Sequence, residues 1–362
     1  MPRPGEPAPW FKARSPVNPN FSFDTAAGRR IVLFFFGSAA DIGAHRVLET
    51  LLACRERFDD RDCAFFGVSV DPEDERSGRI QEHLPGFHLF WDFDQAVSRL
   101  YGVTGGTGCG NRYRPTCFVL DERLRVAAAV QIAGSPERMV EQVMQALGAL
   151  PPLQAEQLVD VPAPVLIVPR IFEPGLCRTL IQYYEERGGE PSGFMRDIDG
   201  QTVLVHDARH KRRCDRTIED ETLRQVCMHR IHDRLLPEIE KAFQYRATRI
   251  ERYIVACYDE QNSGHFRAHR DNTTRGTAHR RFAVSINLNA GEYEGGVLRF
   301  PEFGWQMYRP PTGGALAFSC SLLHEATPVT RGKRYAFLPF LYDEQAAAVR
   351  ASNSRSMQLE TP

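Results

Sequence analysis

Along the first 150 positions, apolar residues fall into short unbroken runs separated by stretches of helical spacing. Arg30 to Phe36 (Arg-Ile-Val-Leu-Phe-Phe-Phe) ends at Gly37 and reads as a strand buried on both faces. Cys63 to Val70, Thr116 to Leu120 and Val126 to Ile132 repeat the pattern; the first closes at Asp71-Pro72 and the second follows Arg114-Pro115. Ala44 to Phe58 collects Val47, Leu48, Leu51 and Leu52 on one helical face. Pro136 to Leu150 does the same with Met139, Val140, Val143, Met144 and Leu147. Strand, helix, strand, a proline-introduced hairpin and a closing helix is an α/β order.

The pattern then changes. A Pro-rich segment, 151–164, marks a domain boundary, so the chain divides into 1–150, this linker, a second domain over 165–345 and a polar tail, 346–362, expected to be disordered. Val165 to Val168 is a short strand, and Glu173-Pro174-Gly175 opens a helix running to Arg187. Residues 188–203 are rich in Gly and Asp and read as irregular. Glu219 to Phe243 has helical spacing through Leu223, Val226, Ile231, Leu235, Leu236 and Ile239, with a break or kink expected at Pro237. From Thr248 onward, short strands with turn signals suggest a double-stranded β-helix, or jelly roll, buttressed by those helices. Arg249 to Tyr258 reads as its first strand. Phe282 to Asn289 puts Phe282, Val284, Ile286 and Leu288 on one face and the smaller Ala283, Ser285 and Asn287 on the other. A jelly roll enclosing a ligand needs an uncrowded interior, so the second face is assigned inward. The fold class is therefore α/β plus mainly β.

Composition narrows the function classes. A length of 362 residues suits about two domains. Lys plus Arg number 45 against 46 for Asp plus Glu, so no global charge favours nucleic acid or a membrane surface. No run approaches the ~20 apolar residues of a membrane span, and Met1-Pro2-Arg3-Pro4-Gly5 lacks the apolar stretch of a secretory leader. Nine cysteines without a Cys-x-x-Cys pair argue against a disulfide framework or zinc ribbon, and point to a reducing cytoplasm. The basic run Arg209-His210-Lys211-Arg212-Arg213 reads as a solvated loop, or else as a contact for an acidic substrate.

The candidate chemistry lies between Tyr258 and Arg334. His269-Arg270-Asp271 puts an imidazole and a carboxylate two residues apart, where strand alternation turns them to the same side. His324 supplies a second imidazole from a distant strand. Two histidines and one carboxylate on one side of a metal suit Fe(II), with positions left for a chelating substrate and O2. His265 and His279 stand nearby, and the family resemblance given below leaves both outside the shell.

Each half resembles a known family. The motifs Val255-Ala256-Cys257-Tyr258, His269-x-Asp271-Asn272, Tyr293-Glu294-Gly295-Gly296, Leu323-His324, Pro328-Val329 and Gly332-x-Arg334-Tyr335 make residues 165–343 similar to 2-oxoglutarate- and Fe(II)-dependent dioxygenases of the prolyl-hydroxylase type. The resemblance implies His269, Asp271 and His324 as iron ligands, Arg334 as partner of the distal carboxylate of 2-oxoglutarate, and Tyr258 as a co-substrate contact. Asn287 stands where relatives carry a second tyrosine. It further implies O2 as oxidant, L-ascorbate as a support, succinate and CO2 as products, and C–H hydroxylation of a peptide, with peptidyl proline as one target, or of a small molecule. Residues 4–148, through Pro4-Gly5-Glu6-Pro7, Phe34-Phe35-Phe36, Gly67-Val68-Ser69-Val70-Asp71 and Arg114-Pro115-Thr116, resemble the peroxiredoxin (AhpC/TSA-type) branch of the thioredoxin fold. Pro115 occupies the place of that fold's cis-proline. The family's Pro, Thr and attacking Cys fall on Gly37, Asp41 and Ala44, and alanine supplies no thiolate. Cys109, in the loop Gly105 to Gly110, is the one candidate exposed thiol. The first half is thus expected to dock a partner or form a homodimer surface. The competing readings are a thiol peroxidase and a non-catalytic metal-binding interaction protein.

Overall fold

The computed structural model describes residues 1–105, 113–132, 135–153 and 161–359, so Cys109 lies outside the described residues. The chain forms two compact units, 1–157 and 158–362.

In the first unit, β1 (Arg30–Gly37) is the middle of a five-stranded sheet. The helix α1 (Ile42–Ala53) follows it, then β2 (Cys63–Ser69), β3 (Phe87–Trp91), β4 (Thr116–Leu120), β5 (Val126–Gln131) and α2 (Pro136–Gly148). The order across the sheet is β3–β2–β1–β4–β5, parallel on the β2 side and antiparallel on the β4 side. Alternation on β1 explains its unbroken apolar run. Val32, Phe34 and Phe36 pack with α1 and α2, while Ile31, Leu33 and Phe35 face Phe11, Phe23 and Tyr101. This is the expected thioredoxin-like arrangement, with β3 added to the strands read from the sequence. The cis X-Pro bond among the described residues is Leu84–Pro85, and the bond at Arg114–Pro115 is trans. Ala44 is buried in the first turn of α1, its N–H donating to the capping Asp41 side chain at 2.8 Å.

The second unit pairs two sheets. Its elements begin with β6 (Leu166–Val168), α3 (Pro174–Arg187), the hairpin β7 (Phe194–Ile198) and β8 (Gln201–Val205), β9 (Lys211–Arg212) and β10 (Cys214–Thr217). Next come α4 (Glu221–Arg234), α5 (Leu236–Phe243), β11 (Arg249–Glu251), β12 (Ile254–Asp259), β13 (His265–His269) and β14 (Phe282–Asn287). The chain closes with β15 (Leu298–Arg299), β16 (Met307–Tyr308), β17 (Ala315–Ser319), β18 (His324–Ala326), β19 (Lys333–Phe337), β20 (Phe340–Tyr342) and α6 (Glu344–Leu359). The larger sheet runs β11–β20–β14–β19–β12–β10, with β17 and β6 attached through β14. The smaller runs β9–β13–β18–β15–β16. Phe282, Val284, Ile286 and Leu288 join the core shared with Leu180, Ile231, Leu235 and Ile239 from the helices. Ala283 belongs to the apolar cluster on the opposite side of the sheet, with Tyr258, Phe266 and Phe318. Pro237 sits in the first turn of α5, and the long helical pattern divides at Leu235.

Four expectations change. Residues 188–203 include the hairpin β7–β8 rather than irregular chain. Arg249 to Tyr258 is two strands, divided at Arg252, whose φ is +55°. The tail, expected to be disordered from 346, forms α6 through Leu359, with Ala346 buried. The basic run is not a solvated loop: Lys211 and Arg213 are each only 7% exposed.

Candidate metal centre

Between the two sheets lies a cavity of about 630 Å³. The smaller sheet brings β13 and β18 side by side, with His269 directly opposite His324 in register. Asp271 follows just beyond β13, where its N–H donates to the carbonyl of Cys320 at 3.0 Å. The strand alternation that puts His269 on the inner face therefore carries Asp271 to the same side. Nε2 of His269 stands 3.5 Å, and Nε2 of His324 3.3 Å, from the two carboxylate oxygens of Asp271. One ligand atom from each of the three residues lies within 4.8 Å of the others.

The imidazoles are oriented for coordination by their own strands. Nδ1 of His269 donates to the carbonyl of Arg267 at 2.7 Å, and Nδ1 of His324 to that of Leu322 at 3.0 Å. With Nδ1 carrying the proton, each Nε2 keeps its lone pair toward Asp271. Burial, then the neighbouring His269, pulls His324 down to about 4, so it is neutral and ligand-competent near pH 7. Burial alone would raise the Asp271 carboxyl, but His324 and His269 outweigh it and hold the group well below the usual carboxylate range. Phe266 stacks on His269 with ring centroids 3.4 Å apart. The donor set of two imidazoles and one carboxylate fits Fe(II).

Across the cavity, β19 turns Arg334 inward and Lys333 outward. Arg334 is 3% exposed; its Nη2 donates to Ser285 Oγ at 2.9 Å, while Nε and Nη1 have no hydrogen-bond partner among the described residues. A buried guanidinium with two such N–H groups fits a ligand carboxylate. Tyr258, opposite Arg334 on the neighbouring β12, lies under that guanidinium, 5.1 Å from its carbon. Its hydroxyl accepts from Arg213 Nη1 at 3.3 Å, leaving its own proton to donate. Asn287 is elsewhere. Its Nδ2 donates to the Tyr293 hydroxyl at 2.8 Å and to the Pro310 carbonyl at 3.1 Å, and it does not line the cavity. Of the two histidines set aside, His279 is buried against Glu251 at 2.8 Å, and His265 is held by the carbonyls of Ser263 and Arg209.

Several cavity residues escaped the sequence reading. Arg213 makes a two-pronged ion pair with Asp215 at 2.7 Å through each arm, and Ser192 Oγ donates to the same carboxylate at 2.6 Å. Lys211 Nζ donates to Ser192 Oγ at 2.8 Å and to the Gly193 carbonyl at 2.6 Å. Arg252 and Arg280 lie 4.2 and 4.0 Å from the centroid of the Phe340 ring, and Arg280 also pairs with Glu251 at 2.6 Å. A usable signal did exist: Lys211, Arg213 and Asp215 recur at every second position, the spacing of one strand face.

The two units match two family models. Residues 253–342 match the 2OG-Fe(II) oxygenase superfamily, and residues 4–129 match the AhpC/TSA family. A PKHD-type hydroxylase of Synechococcus sp. is 33% identical over 93 residues, 24% of this chain and 41% of that protein. The chain spans less than half the length of the curated relatives it matches. Among solved structures, a Trichoplax adhaerens prolyl hydroxylase in complex with a hypoxia inducible factor peptide aligns over 59% of this chain and 93% of its own, at 19% identity and a TM-score of 0.39. The peroxidoxin BcpB of Mycobacterium tuberculosis aligns over 42% of this chain and 99% of its own, at 18% identity and a TM-score of 0.35.

Proposed function

We propose that the second unit is a 2-oxoglutarate- and Fe(II)-dependent dioxygenase that hydroxylates a C–H bond. One observation carries the reading: a buried arginine with two unpartnered N–H groups shares a cavity with a His-Asp-His set whose ligand atoms converge. His269, Asp271 and His324 would hold the iron, and Arg334 the distal carboxylate of the co-substrate, through Nη1–H. When bound, iron and 2-oxoglutarate together supply an O2-driven oxidation that hydroxylates the substrate and yields succinate and CO2. L-ascorbate would support it by keeping the metal ferrous.

The chain's own residues bind, orient and exclude. Ser285 fixes the third arm of Arg334, so the guanidinium presents a set direction to its ligand. Arg213, itself anchored on Asp215, holds the Tyr258 hydroxyl in place. Phe266, Leu298 and Phe318 line the cavity and keep that part of it apolar. The fine target is set by the rest of the cavity, and peptidyl proline is the class suggested by the relatives' likeness.

The test is anaerobic Fe(II) binding followed by succinate release from 2-oxoglutarate on admission of O2. Both are expected in the full chain, and both lost in His269→Ala. A protein that binds neither iron nor 2-oxoglutarate sinks the proposal. For the first unit we propose a docking or homodimer role rather than thiol peroxidase chemistry. Ala44 occupies the attacking position, burial pushes Cys63 up to about 12, and Cys117 is raised further by the same cause.

A further inference from the structure

Three cations face the cavity below the rim formed by the β7–β8 hairpin, and none has a carboxylate partner among the described residues: Arg334, Lys211 and Arg252. Of the other arginines there, Arg196 is exposed on β7 over the Phe194 ring, while Arg213 is answered by Asp215, Arg270 by Glu302 and Arg280 by Glu251. In the function proposed above, a metal dication is balanced by Asp271 and the chelating carboxylate, and Arg334 by the distal carboxylate. Lys211 and Arg252 are left over. A charge withdrawn from bulk water without a counter-charge is costly, so cations retained in such a place call for an anion.

Both groups keep donors for one. Two of the three ammonium protons of Lys211 go to Ser192 and Gly193, leaving a third. Arg252 donates through Nε to the Leu338 carbonyl at 3.0 Å, while Nη1 and Nη2 have no hydrogen bond among the described residues. Each is tied to the metal side of the cavity. Lys211 sits over the Phe266 ring at 4.7 Å, and Phe266 stacks on His269. Arg252 shares Phe340 with Arg280, whose Nη1 reaches the Asp271 carbonyl at 3.5 Å. Burial, then Arg213, pulls Lys211 down, with Arg252 adding to it; Asp215, already engaged by Arg213, and then Asp271 offset both Lys211 and Arg252 in part, so the two cations lie within one electrostatic neighbourhood. The left-handed backbone at Arg252 aims an arginine where the sequence alone reads a continuous strand.

We propose that the molecule hydroxylated at this site carries a carboxylate, which docks on Arg252 and the remaining donor of Lys211. This rests on the 2-oxoglutarate and Fe(II) reading. The same carboxylate could belong to a free organic or amino acid, or to an acidic side chain or terminus of a peptide.

The experiment separates these. Full-length protein is loaded with Zn(II) and 2-oxoglutarate without O2, and calorimetry measures binding of N-acetyl-amino acids, of short acidic peptides, and of the primary amide of each. At least one acid is expected to bind about ten-fold or more tightly than its amide, the scale of one charge-assisted hydrogen bond. Arg252→Gln and Lys211→Met are each expected to erase that preference while 2-oxoglutarate still binds, and Arg252→Lys to keep part of it. Thermal unfolding identifies any variant that fails to fold, and the conservative variant then carries the test. Acids binding no better than amides, or a preference surviving both substitutions, overturns the inference. If 2-oxoglutarate does not bind yet acids retain an Arg252-dependent advantage, the dioxygenase reading fails and the anion site stands. A preference confined to free acids, or to peptides, names the source.

Discussion

At the residue scale, the strongest expectation concerns Arg334. Truncating it to Met removes a charge-assisted contact, which costs about 2–5 kcal/mol when the partner charge stays buried. 2-Oxoglutarate affinity should therefore fall by about 30-fold or more, with iron content unchanged by metal analysis. Loss of iron together with co-substrate affinity would show that Arg334 acts structurally instead. Glu251 gives a pH expectation. Burial would raise its carboxyl, but hydrogen bonds from His279 and Arg280 prevail and hold it well below the ordinary value. A carboxylate depressed in the folded state stabilises above its unfolded value near 4.3, and that contribution is lost as pH falls toward the folded one. Chemical unfolding at pH 7 and pH 3 should show the wild type losing more stability than Glu251→Gln between the two. That His269 and Asp271 share a side was legible in the sequence because a two-residue strand spacing fixes a side. Lys211 and Arg213 were misread because a basic run looks solvated until a strand turns alternate members inward. Arg252 was hidden because one residue of positive φ, at a position that is not glycine, leaves no mark in an apolar alternation.

At the element scale, the turn before β15 controls the opposite sheet. Gly296 has φ +57°, and a Cβ there would stand 2.8 Å from Val329 Cγ2 and 3.1 Å from Arg334 Cδ. Gly296→Ala should weaken 2-oxoglutarate binding without removing any donor to iron, and equilibrium binding of the two ligands measured separately checks this. Unchanged co-substrate affinity would mean the turn yields elsewhere. The helical break at Pro237 and the apolar face of β14 were readable because proline chemistry and two-residue alternation act locally. The β7–β8 hairpin was not, since its apolar members Met195, Ile198 and Leu204 are exposed and no core enforces a pattern. The helix α6 escaped for a similar reason: its sequence is largely polar and small, without the apolar stripe that marks a buried helix.

At the scale of the whole molecule, the proposed function puts the chemistry in the second unit alone. Hydrogen peroxide consumption by the full chain with a dithiol reductant should stay at the uncatalysed rate, as followed by residual peroxide. Turnover abolished by Cys109→Ser would restore a thiol peroxidase role to the first unit. No helix of the described residues is long and apolar enough to cross a membrane. The thioredoxin-like order could be read from the chain because its strands are buried on both faces and stay apolar throughout. The domain that carries the metal ligands has one face per strand open to a polar cavity, and there the pattern thins.

His269 and His324 are each tethered to a carbonyl two residues earlier in the chain. Main-chain oxygens do not change when side chains do. The aim of both rings is thus written into a short stretch of backbone, indifferent to what Arg267 or Leu322 become by mutation. Drift in the surrounding strands can remodel the walls of the cavity while the two rings keep their aim at Asp271.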